Sequence, residues 1–188
     1  MLPYSKTLIE SVTKPGDIAI DCTVGNGHDT LFLAQLVGEN GHVYGFDIQE
    51  EAIIKTEALL KQELLSNQVS LFHDGHEHVL DYIPHEFKGK ISSAIFNLGY
   101  LPNGDKSVTT TGQTTIKAIE GVLSLLKHHG MIVLVVYSGH EEGYQEMLEL
   151  LDYVKTLDQK FYQVLEYKFL NQRNNAPFVI AIEKIKAL

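Results

Sequence analysis

Asp21-Cys22-Thr23-Val24-Gly25-Asn26-Gly27-His28-Asp29-Thr30 closes an apolar run and opens a segment of helical periodicity, with two glycines at the turn between them. Glycines at 25 and 27 let the backbone turn sharply after a strand and approach a ligand closely, while the start of the next helix offers unpaired N–H groups. This is the layout of a nucleotide-cofactor loop. A Gly-x-Gly-x-x-Gly fingerprint would need glycine at position 30, where this chain has Thr30, and no Gly-Lys-Ser/Thr follows as a P-loop requires. Both common phosphate-binding readings therefore lose ground.

Outward from this loop the chain alternates regularly. Residues 5–13 read as a short leading helix, closed by the turn cluster Lys14-Pro15-Gly16-Asp17. Apolar, β-branched runs at 17–23, 42–48, 69–73, 91–98 and 130–137 are followed by helical periodicity at 28–37, 50–65, 76–83, 112–128 and 142–157. Such repetition predicts an α/β fold with a parallel sheet and helices on both faces. Phe161–Leu170 and Ala176–Ile185 are strand-like runs separated only by Asn171–Asn175, too short for a helical crossover, so the last strand returns antiparallel. A seven-stranded, mostly parallel sheet with an antiparallel last strand resembles the Rossmann-like class I S-adenosylmethionine (SAM) methyltransferases. A dinucleotide dehydrogenase would usually continue with parallel strands.

Composition sets the outer bounds. At 188 residues, 44% apolar and 21% charged, the chain has the size of one domain with one core. No apolar run reaches the ~18 to 20 residues of a membrane span, and the first residues lack a secretory pattern. A soluble, cytoplasmic protein is expected, with no membrane partner. The single cysteine, Cys22, sits in an apolar strand and reads as a buried, inert thiol. A net charge of −9 argues against broad, non-specific nucleic-acid binding, although Lys106, Lys168 and Arg173 leave room for a local basic patch.

The acidic residues at the strand ends narrow the ligand. Asp21 at the loop entrance suits a cationic amino-acid moiety and would repel a pyrophosphate. Asp47 ends the second strand and is placed to take both hydroxyls of a ribose, while Asp74 ends the third and is placed to accept from an adenine amino group. SAM carries an ammonium and a sulfonium and no phosphate, so three carboxylates in register favour it. The expected cofactor contacts are Asp21, Thr23, Gly25, Asn26, Gly27, Asp29 and Thr30, then Asp47, Ile48 and Gln49, then Asp74, Gly75 and His76, and finally Asn97. His73-Asp-Gly-His76-Glu-His78 also holds imidazoles and carboxylates, but without a familiar zinc spacing, and no metal is expected. His128 and His129 read as helix-end residues.

The end of the fourth strand should face the reacting group. There the chain reads Phe96-Asn97-Leu98-Gly99-Tyr100-Leu101-Pro102. Methyltransferases acting on exocyclic amines often carry Asp/Asn-Pro-Pro-Tyr/Phe here, and Asn97 and Tyr100 match the first and fourth positions. Asn97 is suited to orienting an amine and Tyr100 to stacking on a base, and positioning with desolvation can supply much of the rate. These two are the expected catalytic residues.

The loop from Asp21 to Thr30, His73-Asp-Gly-His76, Phe96–Pro102, Gly104-Asp-Lys106 with Thr109-Thr110, and Asn171–Phe178 together resemble the MnmM/YtqB family of small bacterial proteins long labelled rRNA methylases. The likeness covers essentially the whole chain. Asn103, where a second glycine would be expected, and Ala176, where proline is common, depart from the pattern. The resemblance implies methyl transfer from SAM to the amine of 5-aminomethyl(-2-thio)uridine at the tRNA wobble position. By the same likeness, Leu98, Gly99, Tyr100 and Pro102 line the amine pocket, while Lys106, Asn171, Arg173 and Asn175 contact the tRNA anticodon stem-loop. Solvated loop charge is the alternative for Lys106 and Arg173. Alternative functions are SAM-dependent methylation of rRNA or of a small amine, a non-catalytic nucleotide-binding protein, and an NAD oxidoreductase. The oligomeric state, a homodimer included, stays open.

Overall fold

In the computed structural model of this chain, which describes residues 2–99, 110–139, 141–172 and 175–186, the apolar runs become strands. They are β1 (Ile18–Asp21), β2 (His42–Asp47), β3 (Val69–His73), β4 (Ile91–Asn97), β5 (Leu126–Val136), β6 (Tyr162–Tyr167) and β7 (Phe178–Lys184). The helices are α1 (Leu2–Val12), α2 (His28–Val37), α3 (Glu50–Gln62), α4 (Val79–Tyr82), α5 (Gly112–Leu125) and α6 (Glu141–Val154). The strands form one seven-stranded sheet in the order β3-β2-β1-β4-β5-β7-β6. Pairing is parallel from β3 through β5, and β7 runs antiparallel to both its neighbours, as the short final connection requires. This is the expected class I methyltransferase fold.

The core follows from the two-residue period of buried strands. Along β5, Ile132, Leu134 and Val136 face the side covered by α4, α5 and α6, where they meet Val79, Ile119, Val122 and Leu150. Val133 and Val135 face the other side and join Ile9 of α1, Leu33 and Val37 of α2 and Leu60 of α3. Both faces are thus apolar, which explains why the central strands read as continuous apolar runs. The exceptions are satisfied locally. Ser93 shares a 2.7 Å hydrogen bond with Thr13 just beyond α1, and the Ser92 hydroxyl donates to the Ile18 carbonyl at 2.9 Å. Buried Lys184 donates to the carbonyls of Leu123 and Leu126 at 3.3 and 2.9 Å, placing a cation at the negative end of α5.

Several boundaries move. The leading helix is Leu2–Val12 rather than 5–13, and the 76–83 segment is a 3₁₀ turn, His76–His78, running into the single turn of α4. Helix α5 stops at Leu125 and not near 128, so His128 and His129 are strand residues rather than helix ends. The cause is a register shift: Ile91 pairs with Leu126 and Ser93 already with Met131, which bulges the intervening β5 residues outward. His129 has φ 61°, and its Nδ1 lies 2.8 Å from Glu183 Oε1. The β6–β7 connection spans 168–177, longer than Asn171–Asn175 alone. No helix among the described residues is long and apolar enough to cross a membrane.

Candidate active site

The strand order reverses between β1 and β4, and open α/β sheets bind ligands beyond the carboxyl ends of the strands at such a point. A cavity of about 880 Å³ lies there, within the size range of small-molecule and cofactor sites. Its wall takes residues from the glycine loop, the ends of β2, β4 and β5, the turn after β3 and the start of α5.

Two carboxylates fix the shape of the loop. Asp21, fully buried, accepts from the Thr23 amide at 3.1 Å and the Thr30 hydroxyl at 2.6 Å, tying the strand end to the first turn of α2. Asp47 accepts from the Gly25 amide at 2.8 Å and the Gln49 amide at 2.9 Å, tying the loop to the end of β2. Gly27 begins α2 with φ 78°, in the left-handed region open to glycine, and a Cβ there would lie 2.6 Å from Thr56 Oγ1. Glycine is therefore required twice over, by conformation and by space.

Asp29 in the first turn of α2 is the charged centre of the wall. One oxygen lies 3.6 Å from the Lys6 ammonium, which also sits 4.7 Å above the Phe32 ring. The other accepts from Asn97 Nδ2 at 3.2 Å, while the Asn97 backbone amide donates to the Thr23 hydroxyl at 2.7 Å. A carboxylate can only accept, so Asp29 turns the Asn97 amide to leave its carbonyl oxygen as an acceptor. The chain just beyond is stapled too: the Gly99 amide donates to Thr110 Oγ1 at 3.0 Å, and Thr110 Oγ1 donates to buried Glu146 at 2.7 Å.

On the β3 side, Asp74 is turned away from the cavity. Its carboxylate accepts from the Gly75 amide, His78 Nδ1 and the Tyr82 hydroxyl at 2.8, 3.0 and 2.8 Å. The Tyr82 and His78 hydrogen bonds hold its pKa below the ordinary carboxylate range. The polar group presented instead is His76. Its Nδ1 donates to the Cys22 carbonyl at 2.9 Å, and its buried Nε2 has no partner among the described residues. Burial pushes the pKa of this imidazole down, so it is neutral with Nε2 as an acceptor.

Of the expected cofactor residues, Thr23, Gly25, Asn26, Asp29, Asp47, Ile48, Gln49, Gly75, His76 and Asn97 line the cavity. Asp21, Gly27 and Thr30 stand behind the loop as its supports, and Asp74 braces the β3 turn. Leu98, Gly99 and Asn175 also line the cavity, whereas Asn171 is exposed and outside its wall. Tyr100, Pro102, Lys106 and Arg173 lie outside the described residues. Lys6, Glu77 and Tyr137 are wall residues that sequence reasoning missed. Nothing in a lone lysine on a leading helix announces Lys6. Tyr137 was within reach, since it follows β5 at the same edge of the sheet as Asn97. The histidines from 73 to 78 face different partners, Ile48, Cys22 and Asp74. No group of three or more potential metal ligands gathers among the described residues.

The wall is acidic. Asp29, Asp47 and Glu77 face Lys6, the one lysine or arginine among the described wall residues. Burial and the neighbouring Asp29 push the Asp21 pKa up to about 7, and burial also lifts the Cys22 thiol, leaving it inert. A site of this kind repels a pyrophosphate and attracts a cation. The raised Asp21 pKa has a stability consequence. The native protein holds a proton that the unfolded chain releases near pH 4, so stability falls as pH rises through about 7 and is flat above it. Urea unfolding of the unliganded protein from pH 5 to pH 8 is expected to show a loss on the order of 2 to 3 kcal/mol that Asp21→Asn removes.

A family model described as "Putative rRNA methylase" matches residues 43–183. The Arabidopsis thaliana protein tRNA (mnm(5)s(2)U34)-methyltransferase, chloroplastic, is 40% identical over 146 residues, covering 73% of this chain and 53% of that protein. The chain thus spans about half the length of this relative. A Clostridium thermocellum crystal structure under the same description as the family superposes with TM-score 0.94 at 43% identity, covering 98% of this chain and 97% of that one. A Streptococcus mutans protein solved in complex with SAH gives TM-score 0.87 at 40% identity, covering 97% of each chain.

Proposed function

Since the chain belongs to the rRNA methylase family whose model it matches, we propose that it is a SAM-dependent methyltransferase whose acceptor is the 5-aminomethyl group of the tRNA wobble uridine. The observation that carries the reading is Asn97, held by Asp29 and Thr23 at the topological switch point with its carbonyl oxygen left to accept. When bound, SAM supplies a methyl carbon activated by its sulfonium. The chain's own residues do the rest. Asn97 Oδ1 accepts an N–H of the incoming amine and so directs the nitrogen lone pair, while buried Leu98 gives the wall beside it an apolar surface. A neutral amide removes no proton, so the amine loses its proton to solvent.

The wall suits this cofactor. Asp47 retains lone pairs for ribose hydroxyls, and neutral His76 offers a buried acceptor to an adenine amino group. Lys6 and Asp29 place opposite charges side by side, which fits a zwitterionic amino-acid end. Lys6→Met is expected to weaken SAH binding roughly tenfold. 5′-Methylthioadenosine, which lacks the amino-acid part, should bind both proteins equally.

The 40% identity to the Arabidopsis protein favours tRNA, although that protein is about twice as long. Calorimetry tests the cofactor: SAH binding with no heat from NADH is expected, and the reverse would refute the reading.

A further inference from the structure

Beside the cofactor cavity lies a second, smaller cleft of about 210 Å³, where the end of β5, the start of α6 and the β6–β7 connection meet. The two adjoin along one edge. Tyr137 and Gly139 line the cavity while Ser138 between them lines the cleft, and Asn175 lines both. Two rings border the cleft with much of their surface in solvent, Tyr144 (52% exposed) and Phe169 (45%). The remaining chemistry is an ammonium on Lys168, amides on Gln172 and Asn175 and the Ser138 hydroxyl. Phe169 is also set against Tyr167, edge to face at 5.8 Å, and Lys168 lies over the Phe178 ring at 5.3 Å.

We propose that this cleft seats an unstacked nucleobase of the RNA loop that carries the methyl acceptor, a reading that rests on the RNA substrate proposed above. Exposed rings offer a stacking surface, and amides with a hydroxyl offer hydrogen bonds to a base edge, the means by which single-stranded loops are read. A phosphate site would need more positive charge. Lys168 is the one lysine or arginine among the described lining residues, and the whole chain carries a net charge of −9. Recognition by stacking is the mode an acidic protein can use. The position fits as well, because a base held here lies next to the Asn175 and Ser138 edge of the cavity, so its neighbour in the loop is presented to Asn97. The cleft therefore selects a splayed loop over a paired stem.

Fluorescence anisotropy with a labelled tRNA anticodon stem-loop, paired with SAH calorimetry, tests this. Tyr144→Ala with Phe169→Ala is expected to weaken RNA binding by about tenfold to a hundredfold with SAH affinity unchanged, and Phe169→Tyr alone to retain both. Affinity should fall only gently with salt, with a slope matching one or two released counterions. RNA binding by the unaltered protein that the double variant keeps in full would overturn the cleft's role and leave the substrate reading standing, and so would a steep salt slope. If the unaltered protein binds SAH but no RNA, both fall together. Should the double variant lose SAH binding, Phe169→Ala alone, altering one exposed ring, decides by the same criterion.

Discussion

Asn97→Ala is expected to lower single-turnover methyl transfer by about a hundredfold or more while SAH affinity stays within a few-fold. The size follows from what positioning of a reacting amine contributes, commonly two to three powers of ten for an oriented polar group. The selectivity follows from the contacts. The backbone amide of residue 97 still donates to Thr23, and Asp29 keeps Lys6, so the loop and its charge survive the truncation. Asn97→Asp should be at least as damaging to turnover and should also disturb the cofactor, because it sets a second carboxylate against Asp29 where an amide donor now lies at 3.2 Å. Rapid-quench measurement with labelled SAM, beside calorimetry with SAH, separates the two effects. Full turnover by the alanine variant would remove Asn97 from the mechanism.

Gly27→Ala is expected to damage the site from behind. A non-glycine residue at φ 78° costs about 1 to 2 kcal/mol. The added Cβ would meet Thr56 Oγ1 at 2.6 Å and Cγ2 at 3.0 Å, and overpacking of a closed interior costs about 1 to 3 kcal/mol more. Together these should lower the melting temperature by roughly 5 to 15 °C, and SAH affinity should fall as the loop that Asp47 and Asp21 hold is displaced. The two causes can be separated. Adding Thr56→Ala relieves the collision but not the backbone strain, so the double variant should recover only part of the loss. Complete recovery would show that the left-handed conformation carries no cost, and no loss in the single variant would contradict the loop geometry.

Much of the architecture was legible because buried strands and their covering helices differ in period, and because the link before the last strand, even at its full span of 168–177, is too short for a helical crossover. What escaped was set by pairing between distant residues. The early start of β5 depends on a bulge against β4, which no local pattern encodes, and it turned His128 and His129 from helix-end residues into strand residues. In the site, the acidic residues at the strand ends were legible, and their hydrogen-bond partners were not. Asp21 and Asp74 are acidic strand ends as noted, yet both are occupied by hydrogen bonds from their own neighbourhood, and the wall takes its carboxylates from Asp29, Asp47 and Glu77. A sequence shows which carboxylates end strands but not which hydroxyls and amides will have claimed them. Lys6 reaches the cavity only because α1 packs on the face of the sheet beside α2, a tertiary fact with no local signal.

In the proposed reaction the methyl group goes to the amine of a wobble uridine. Incubating the purified protein with methyl-labelled SAM and tRNA that carries 5-aminomethyl-2-thiouridine, then digesting to nucleosides for mass spectrometry, tests it most directly. The label is expected in the 5-methylaminomethyl nucleoside alone, and with Asn97→Ala it should enter about a hundredfold more slowly or slower still. Label in a different nucleoside, or an unchanged tRNA when the same protein methylates rRNA, would contradict it.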